Sequence, residues 1–342
     1  MTLTPPPSLL KPLGLAAVLA AAAGGAGAGT VTTSELLNYF NSVTLGDTST
    51  GHDIEGRTYV GGNLTVNGSL NIKPALSASP YDEVVVVGDL NAGNANVNNG
   101  GSVTVGGDFN GGWLNLNGGG TAHLGGAKNG NSNQTVLVNQ SGPTFDARFP
   151  DAVESTVKAT STALSGLTAS GAAFVDSATQ KLSFGSAPAA NGVTVYSVSW
   201  DLFQDYSNYA IDFALAGANT VIVNVFGNGA FDDGFDIWNN FNANASISQH
   251  VLWNFVDATE VNFQRSFWGA VLAPLAHITN VTPIEGSVIA GSAAYNGEVH
   301  VYGWQGGVLP STEPVPPVPV PAALPLLGAG LAGLALLRRR RR

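Results

Sequence analysis

Short runs of alternating apolar and polar residues recur along the first third of the chain. In one of them Leu64 and Val66 alternate with Thr65 and Asn67, and the same alternation returns at residues 114–117. A period of two residues is typical of a strand with one buried side. Glycine and asparagine are concentrated between these runs, where they favour tight turns. The pattern therefore predicts many short strands joined by short turns.

Recurring glycines show that these strands belong to a repeat. Equivalent positions are Gly62, Gly88, Gly107 and Gly126, so successive units are 26, 19 and 19 residues long. Repeats of about this length are typical of solenoids, in which each unit packs on the one before it. We therefore predict a mostly β fold, a right-handed parallel β-helix. A β-sandwich, which also uses short alternating strands, is the alternative.

One segment, residues 150–167, has a helical pattern instead. Pro150 suits a first helical turn, and Phe149, Val153 and Val157 recur at intervals of four residues. We expect one α-helix packed along the solenoid, where it caps or shields a sheet edge. Further elements are predicted on either side of it, a short helix at 34–40 and strands at 193–196, 221–226 and 251–255.

The N-terminus is predicted to be a secretory signal peptide, residues 1–28. An apolar stretch from Leu9 to Ala23 contains Lys11 as its one charge, and Ala26 and Ala28 supply small residues for cleavage. An uncleaved membrane anchor is the alternative. The β-rich domain would then occupy residues 29–309.

The C-terminus has three parts. Residues 310–321 are proline-rich and predict an extended spacer. An apolar run of about 16 residues starts at Ala322, marginally long enough to cross a bilayer. A short motif precedes it, composed of Val318, Pro319, Val320, Pro321 and Ala322. A basic end follows it, composed of Arg338, Arg339, Arg340, Arg341 and Arg342.

This tail, residues 318–342, resembles the sorting signals of the PEP-CTERM type, in particular the variant built on Val-Pro-Leu-Pro-Ala. Val320 stands where that variant has leucine. The resemblance implies transient membrane attachment through the apolar helix, and processing by an exosortase, a transpeptidase-like membrane enzyme. It also implies an exported protein of a Gram-negative bacterium. The alternative is a plain membrane anchor that is never cut.

Composition excludes several classes of function. The chain has no cysteine, so disulfides and thiol catalysis are excluded. Without the five tail arginines and Lys11, seven basic residues face 23 acidic ones. Phosphate binding needs clustered basic residues, so we expect no nucleic-acid partner.

The densest acidic cluster is a weak candidate for Ca²⁺, the one cofactor for which the sequence offers ligands. Its members are Asp232, Asp233 and Asp236, and oxygen is the ligand that Ca²⁺ prefers. The full spacing of a calcium loop is missing, and a solvated turn is the plainer interpretation. The same carboxylates allow an alternative function, a β-helix hydrolase acting on carbohydrate. Because no nucleophile elbow or paired metal-ligand motif accompanies them, no catalytic residue is predicted.

A second resemblance covers most of residues 36–307. The early blocks at 55–57 and 60–63 and the later blocks at 252–255, 269–274, 285–290 and 297–300 are similar to the choice-of-anchor A family of bacterial surface proteins. That resemblance implies a non-enzymatic adhesive or structural protein of the cell surface or extracellular matrix, with a polysaccharide or a protein as ligand. Ice binding is a further alternative, although Thr58, Thr65 and Thr104 do not form the regular threonine array that it needs.

Overall fold

The computed structural model describes residues 30–74, 77–185, 192–215, 218–227 and 236–310. The predicted signal peptide, Ala26 and Ala28, the sorting tail and Asp232 and Asp233 lie outside these ranges. Residues up to 137 form α1 (Thr33–Tyr39), β1 (Ser42–Thr44), β2 (Thr48–Thr50), β3 (Thr58–Val60), β4 (Leu64–Val66), β5 (Ser69–Leu70), β6 (Val84–Val86), β7 (Leu90–Val97), β8 (Val103–Val105), β9 (Phe109–Leu116), β10 (Ala122–Leu124), β11 (Lys128–Ser132) and β12 (Val136–Leu137).

The remaining elements begin with two helices and end in strands. They are α2 (Pro143–Asp146), α3 (Val153–Ser165), β13 (Ala173–Asp176), β14 (Lys181–Phe184), β15 (Val193–Ser199), α4 (Asp201–Asp205), β16 (Ala210–Phe213), β17 (Thr220–Phe226), β18 (Asp236–Ile237), β19 (Asn240–Phe241), α5 (Ala245–His250), β20 (Val251–Phe255), β21 (Glu260–Phe263), β22 (Phe267–Trp268), β23 (Ala270–Asn280), β24 (Ile284–Glu285), β25 (Val288–Tyr295) and β26 (Val299–His300).

The strands stack into three parallel faces. Face 1 has the order β12-β10-β8-β6-β3-β1-β25-β23-β20-β17-β15. Face 2 has the order β11-β9-β7-β4-β2-β25-β23-β21-β18. Strands β7, β9, β11, β23 and β25 bend from one face into the next.

Face 3 is less continuous. The ends of β9 and β7 and the strand β5 lie on one side of Ile54, and β26, β24 and β22 lie on the other. Strands β19, β16, β14 and β13 form a separate small sheet, in which β13 and β14 are antiparallel. Because the other strand pairs are parallel, the fold is the predicted β-helix rather than the β-sandwich, whose strands are antiparallel. The right-handed winding stays a prediction.

The order of the turns differs from the order of the chain. Strand β1 lies between β3 and β25, so that Ser42 pairs with both Thr58 and Val288. The chain starts in the middle of the solenoid and builds outward to β12. It then resumes at β15, at the opposite end, and returns to the middle. The sequence repeat predicts that each turn packs on the turn before it in the chain. It does not predict the seam between β1 and β25.

The helix α3 connects the two halves. It begins at Val153, later than the expected Pro150, because Ala152 has a left-handed backbone with φ of 57°. Val153 and Val157 are buried as predicted, whereas Phe149 is only half-buried. The helix packs on β17, β20 and β23 and on α1. It therefore covers the outer surface of face 1, and the expectation that it shields a sheet edge was wrong.

The turns between faces 1 and 2 explain the glycine repeat. The amides of Gly88, Gly107 and Gly126 each donate to the equivalent glycine carbonyl one turn away, at 2.9 Å. A Cβ at Gly106 would lie 2.1 Å from the Val87 carbonyl oxygen, so only glycine allows this close approach. In each turn one side-chain oxygen also accepts a hydrogen bond from a backbone amide of the next turn, at 2.7–2.8 Å. These oxygens belong, in succession, to Asp47, Asn63, Asp89 and Asp108.

Candidate binding surfaces

A row of small and polar side chains, here called the face 2 row, runs across the outside of face 2. Neighbouring members pair in register between strands, and each is exposed or half-buried. Because adjacent strands lie about 4.8 Å apart, the row offers polar groups at a regular spacing. Its members are Asp236, Asn262, Thr279, Ala294, Ser49, Thr65, Asn91, Asn110 and Asn129.

The asparagines of the row hold one another in place. Asn110 donates from Nδ2 to Asn91 Oδ1 at 3.3 Å, and Asn129 donates in the same way to Asn110 at 3.0 Å. Thr279 donates its hydroxyl to Asn262. A primary amide has two N–H groups and two acceptor lone pairs, so each asparagine keeps hydrogen-bonding capacity for a ligand. The row is thus ordered before any ligand arrives, which lowers the entropic cost of binding.

A matching ladder lies on face 3, on the same two strands. Asn115 donates to Asn96 Oδ1 at 3.1 Å and to Asn94 Oδ1 at 2.9 Å. Asn96 and Asn115 are half-buried, as are Asn91 and Asn110. The side chain of Trp113, 49% exposed, interrupts the regular outline of this part of face 3. The two ladders therefore share their chemistry but not their surroundings.

A charged cluster on face 3 joins the two halves of the solenoid. Both ring nitrogens of His300 contact carboxylates, Nδ1 with Glu285 at 2.9 Å and Nε2 with Glu298 at 2.8 Å. Glu55, from the first half, accepts from the backbone amide of Val301 at 3.0 Å. Glu285 lies opposite His300 on the neighbouring strand, and Glu298 lies two residues before it in the chain.

Electrostatics favour the charged form of this histidine. Partial burial by itself lowers the pKa of His300, but hydrogen bonds to Glu298 and Glu285 and attraction to Glu285 and Glu55 outweigh burial and raise that pKa above 6.5. Lys73 balances part of the negative charge, with its ammonium 3.2 Å from Glu55. Since these groups are partnered with one another, the cluster is suited to holding the seam together.

The predicted calcium site lies mostly outside the described residues and stays a prediction. Of the three aspartates only Asp236 is described, and its carboxylate accepts from Gln264 at 3.1 Å. No group of His, Asp or Glu residues within the described ranges is arranged to hold a metal ion. Among those same ranges, no helix is both long and apolar enough to span a membrane.

Two tryptophans lie in different surroundings. Trp253 is fully buried, and Trp238 is 42% exposed, with the Arg265 guanidinium 5.9 Å from its ring centre. The face 2 row was missed, although part of its signal is visible: Asn91, Asn110 and Asn129 recur every 19 residues. Ala294, Thr279, Asn262 and Asp236 belong to turns from the other half of the chain and follow no sequence period.

The amino-acid sequence matches the model of a known protein family. The family model described as "Putative Ice-binding-like adhesive domain" matches residues 33–301, which include both halves of the solenoid and α3. No curated protein and no solved structure matches the chain.

Proposed function

Since the chain belongs to this family of ice-binding-like adhesive domains, we propose that it is a non-enzymatic adhesive protein of the bacterial surface that binds a polysaccharide through the face 2 row. The observation that carries the proposal is the row itself. It presents pre-ordered amides and hydroxyls on successive turns, and Asp236 at its end is its one charged member. Such groups match the regularly repeated hydroxyls of a polysaccharide chain.

The composition of the row favours a polysaccharide over a protein ligand. The centres of protein interfaces are enriched in Tyr, Trp, Phe, Met and Arg. The row has none of these residues and consists of asparagine, threonine, serine, alanine and one aspartate. Its binding energy would come from many weak hydrogen bonds, so we expect affinity to depend on the length of the bound chain.

Two paired substitutions on the same strands test the assignment. Asn91→Lys with Asn110→Glu places long side chains on the row, and their opposite charges pair across the strands. Binding of the purified domain to immobilised polysaccharides should fall about tenfold or more, because the side chains hold the ligand away from the sheet. The assay is surface plasmon resonance against a panel of bacterial and plant polysaccharides.

The matched control is Asn96→Lys with Asn115→Glu, which makes the same change in the same two strands on face 3. We expect it to bind like the unaltered domain, with both variants melting at similar temperatures. Equal loss of binding in the two variants would count against the row as the binding surface. Full binding by the Asn91→Lys, Asn110→Glu variant would also count against it.

Ice is a second candidate target, favoured by the family description and by the regular spacing of the row. Its threonines are Thr65 and Thr279, fewer than the regular threonine array that ice binding needs. Thermal hysteresis of the unaltered domain that is lost in the Asn91→Lys, Asn110→Glu variant would favour ice over polysaccharide.

We further propose that the protein is exported through its signal peptide, cleaved after Ala28, and processed by an exosortase near residues 318–322. The ordered motif, apolar run and terminal arginines support this route. Mass spectrometry of protein recovered from the cell surface should then find a C-terminus near Pro321 or Ala322. Surface material that retains Arg338–Arg342 would rule out the processing step.

A further inference from the structure

A groove of about 580 Å³ lies where the start of α3 crosses the outer surface of face 1. Apolar side chains line part of it, and hydroxyl and charged groups line the rest. The lining includes Leu45, Tyr59, Val87, Pro150, Ser155 and Lys158. Its volume falls within the range of small-molecule sites in proteins, about 300–1,000 Å³. The groove is separate from the face 2 row, because it opens on the helix-covered side of face 1.

Tyr59 is the aromatic residue in the wall of this groove. Its residue is 6% exposed, and its ring packs against Phe40 with the ring centres 5.9 Å apart. The Tyr59 hydroxyl is not among the fully buried polar atoms that lack a partner, which fits a hydroxyl that faces the groove. A ligand in the groove can therefore accept a hydrogen bond from it in place of water.

The protonation state makes Tyr59 a donor at any physiological pH. Burial, and secondarily the negative charge of Glu154, raise the pKa of Tyr59 to about 12. The groove is therefore lined by a neutral O–H. An acceptor on the ligand, such as a sugar hydroxyl or ring oxygen, is the complementary group.

The rim of the groove carries no net charge. Glu154 and Lys158 form an ion pair at 2.6 Å on the first turns of α3. Ser155 donates to the Ala152 carbonyl at 3.0 Å, and no side chain caps the helix at Ala152. The amides of the first helical turn thus remain as donors at this end of the groove. Both donors and acceptors are available, without an excess of either charge.

We infer that this groove is a second binding site, which holds one or two residues of a neutral saccharide. The apolar walls at Leu45, Val87 and Pro150 would contact the C–H face of a sugar ring. Its hydroxyls would bond to Tyr59, to Ser155 and to the Glu154–Lys158 pair. An anionic ligand is disfavoured because Glu154 neutralises Lys158 at this rim.

Titration calorimetry with cellobiose, maltose and chitobiose as neutral probes, and digalacturonate as the acidic probe, tests the site. At least one neutral disaccharide should bind, and Tyr59→Phe, which removes only the hydroxyl, should weaken that binding about tenfold. Tyr39→Phe is the matched control, because Tyr39 packs beside Tyr81 outside the groove and should bind as the unaltered domain does.

The inference is overturned if none of the neutral disaccharides binds, if Tyr59→Phe binds like the control, or if digalacturonate binds more tightly than the neutral sugars. The variant Asn91→Lys, Asn110→Glu separates the two sites. It should bind the disaccharide normally even if it no longer binds polysaccharide, so each proposal can fail without the other.

Discussion

Replacing Trp253 by alanine should lower the free energy of unfolding by about 3–5 kcal/mol, as expected for removing a large buried aromatic side chain. Trp253 is 0% exposed, and Nε1 donates to the Trp268 carbonyl at 2.9 Å. Its ring lies at the centre of an aromatic cluster inside the second half of the solenoid. The ring centres of its neighbours are 5.3–6.1 Å away, in Phe184, Phe203, Phe213, Phe241 and Phe267.

Urea denaturation followed by circular dichroism measures this loss. Trp113→Ala is the control, because it removes the same side chain from a site that is 49% exposed, and we expect a change below about 1 kcal/mol. If the two variants are equally stable, the aromatic cluster around Trp253 does not stabilise the second half of the solenoid.

The alternation of apolar and polar residues was enough to predict much of this fold. The sequence pattern identified the strands at 64–66, 221–226 and 251–255. In the first of these it also identified the buried side, because a residue two positions along returns to the same side of the strand. The 19-residue step also predicted the stacking of neighbouring turns in the first half. Strand alternation and the spacing of neighbouring turns depend on residues close together in the chain, so a local sequence pattern can predict them.

The order of turns was not predictable in the same way. Every turn of a parallel solenoid presents similar unpaired amides and carbonyls at its edge, so the pattern does not say which turn lies next to β1. The register between Ser42 and Val288 depends on side chains 246 positions apart. The contact of Glu55 with Val301, and the junction of the face 2 row between Ser49 and Ala294, follow from that seam and were missed with it.

Replacing Asn254 by alanine should also be costly, by about 2–4 kcal/mol, because it removes hydrogen bonds that hold α3 on face 1. Asn254 follows Trp253 and points to the opposite side of β20, towards the helix. It donates to the Ser161 carbonyl at 3.0 Å and to Asn224 Oδ1 at 2.8 Å, and it accepts from the Ser161 hydroxyl at 2.6 Å. All three residues are buried, so alanine leaves buried polar groups without partners.

Hydrogen exchange distinguishes this mechanism from a general loss of stability. In Asn254→Ala the amides of α3 should exchange faster than those of β6 and β8, since the helix loses part of its polar attachment while the packing around β6 and β8 is unchanged. Asn129→Ala removes an exposed asparagine hydrogen bond of 3.0 Å and should alter neither stability nor exchange in α3. Uniform acceleration across all strands of Asn254→Ala would instead mean that α3 and the solenoid unfold as one unit. In that case the helix that connects the two halves is part of one cooperative unit with the strands it covers.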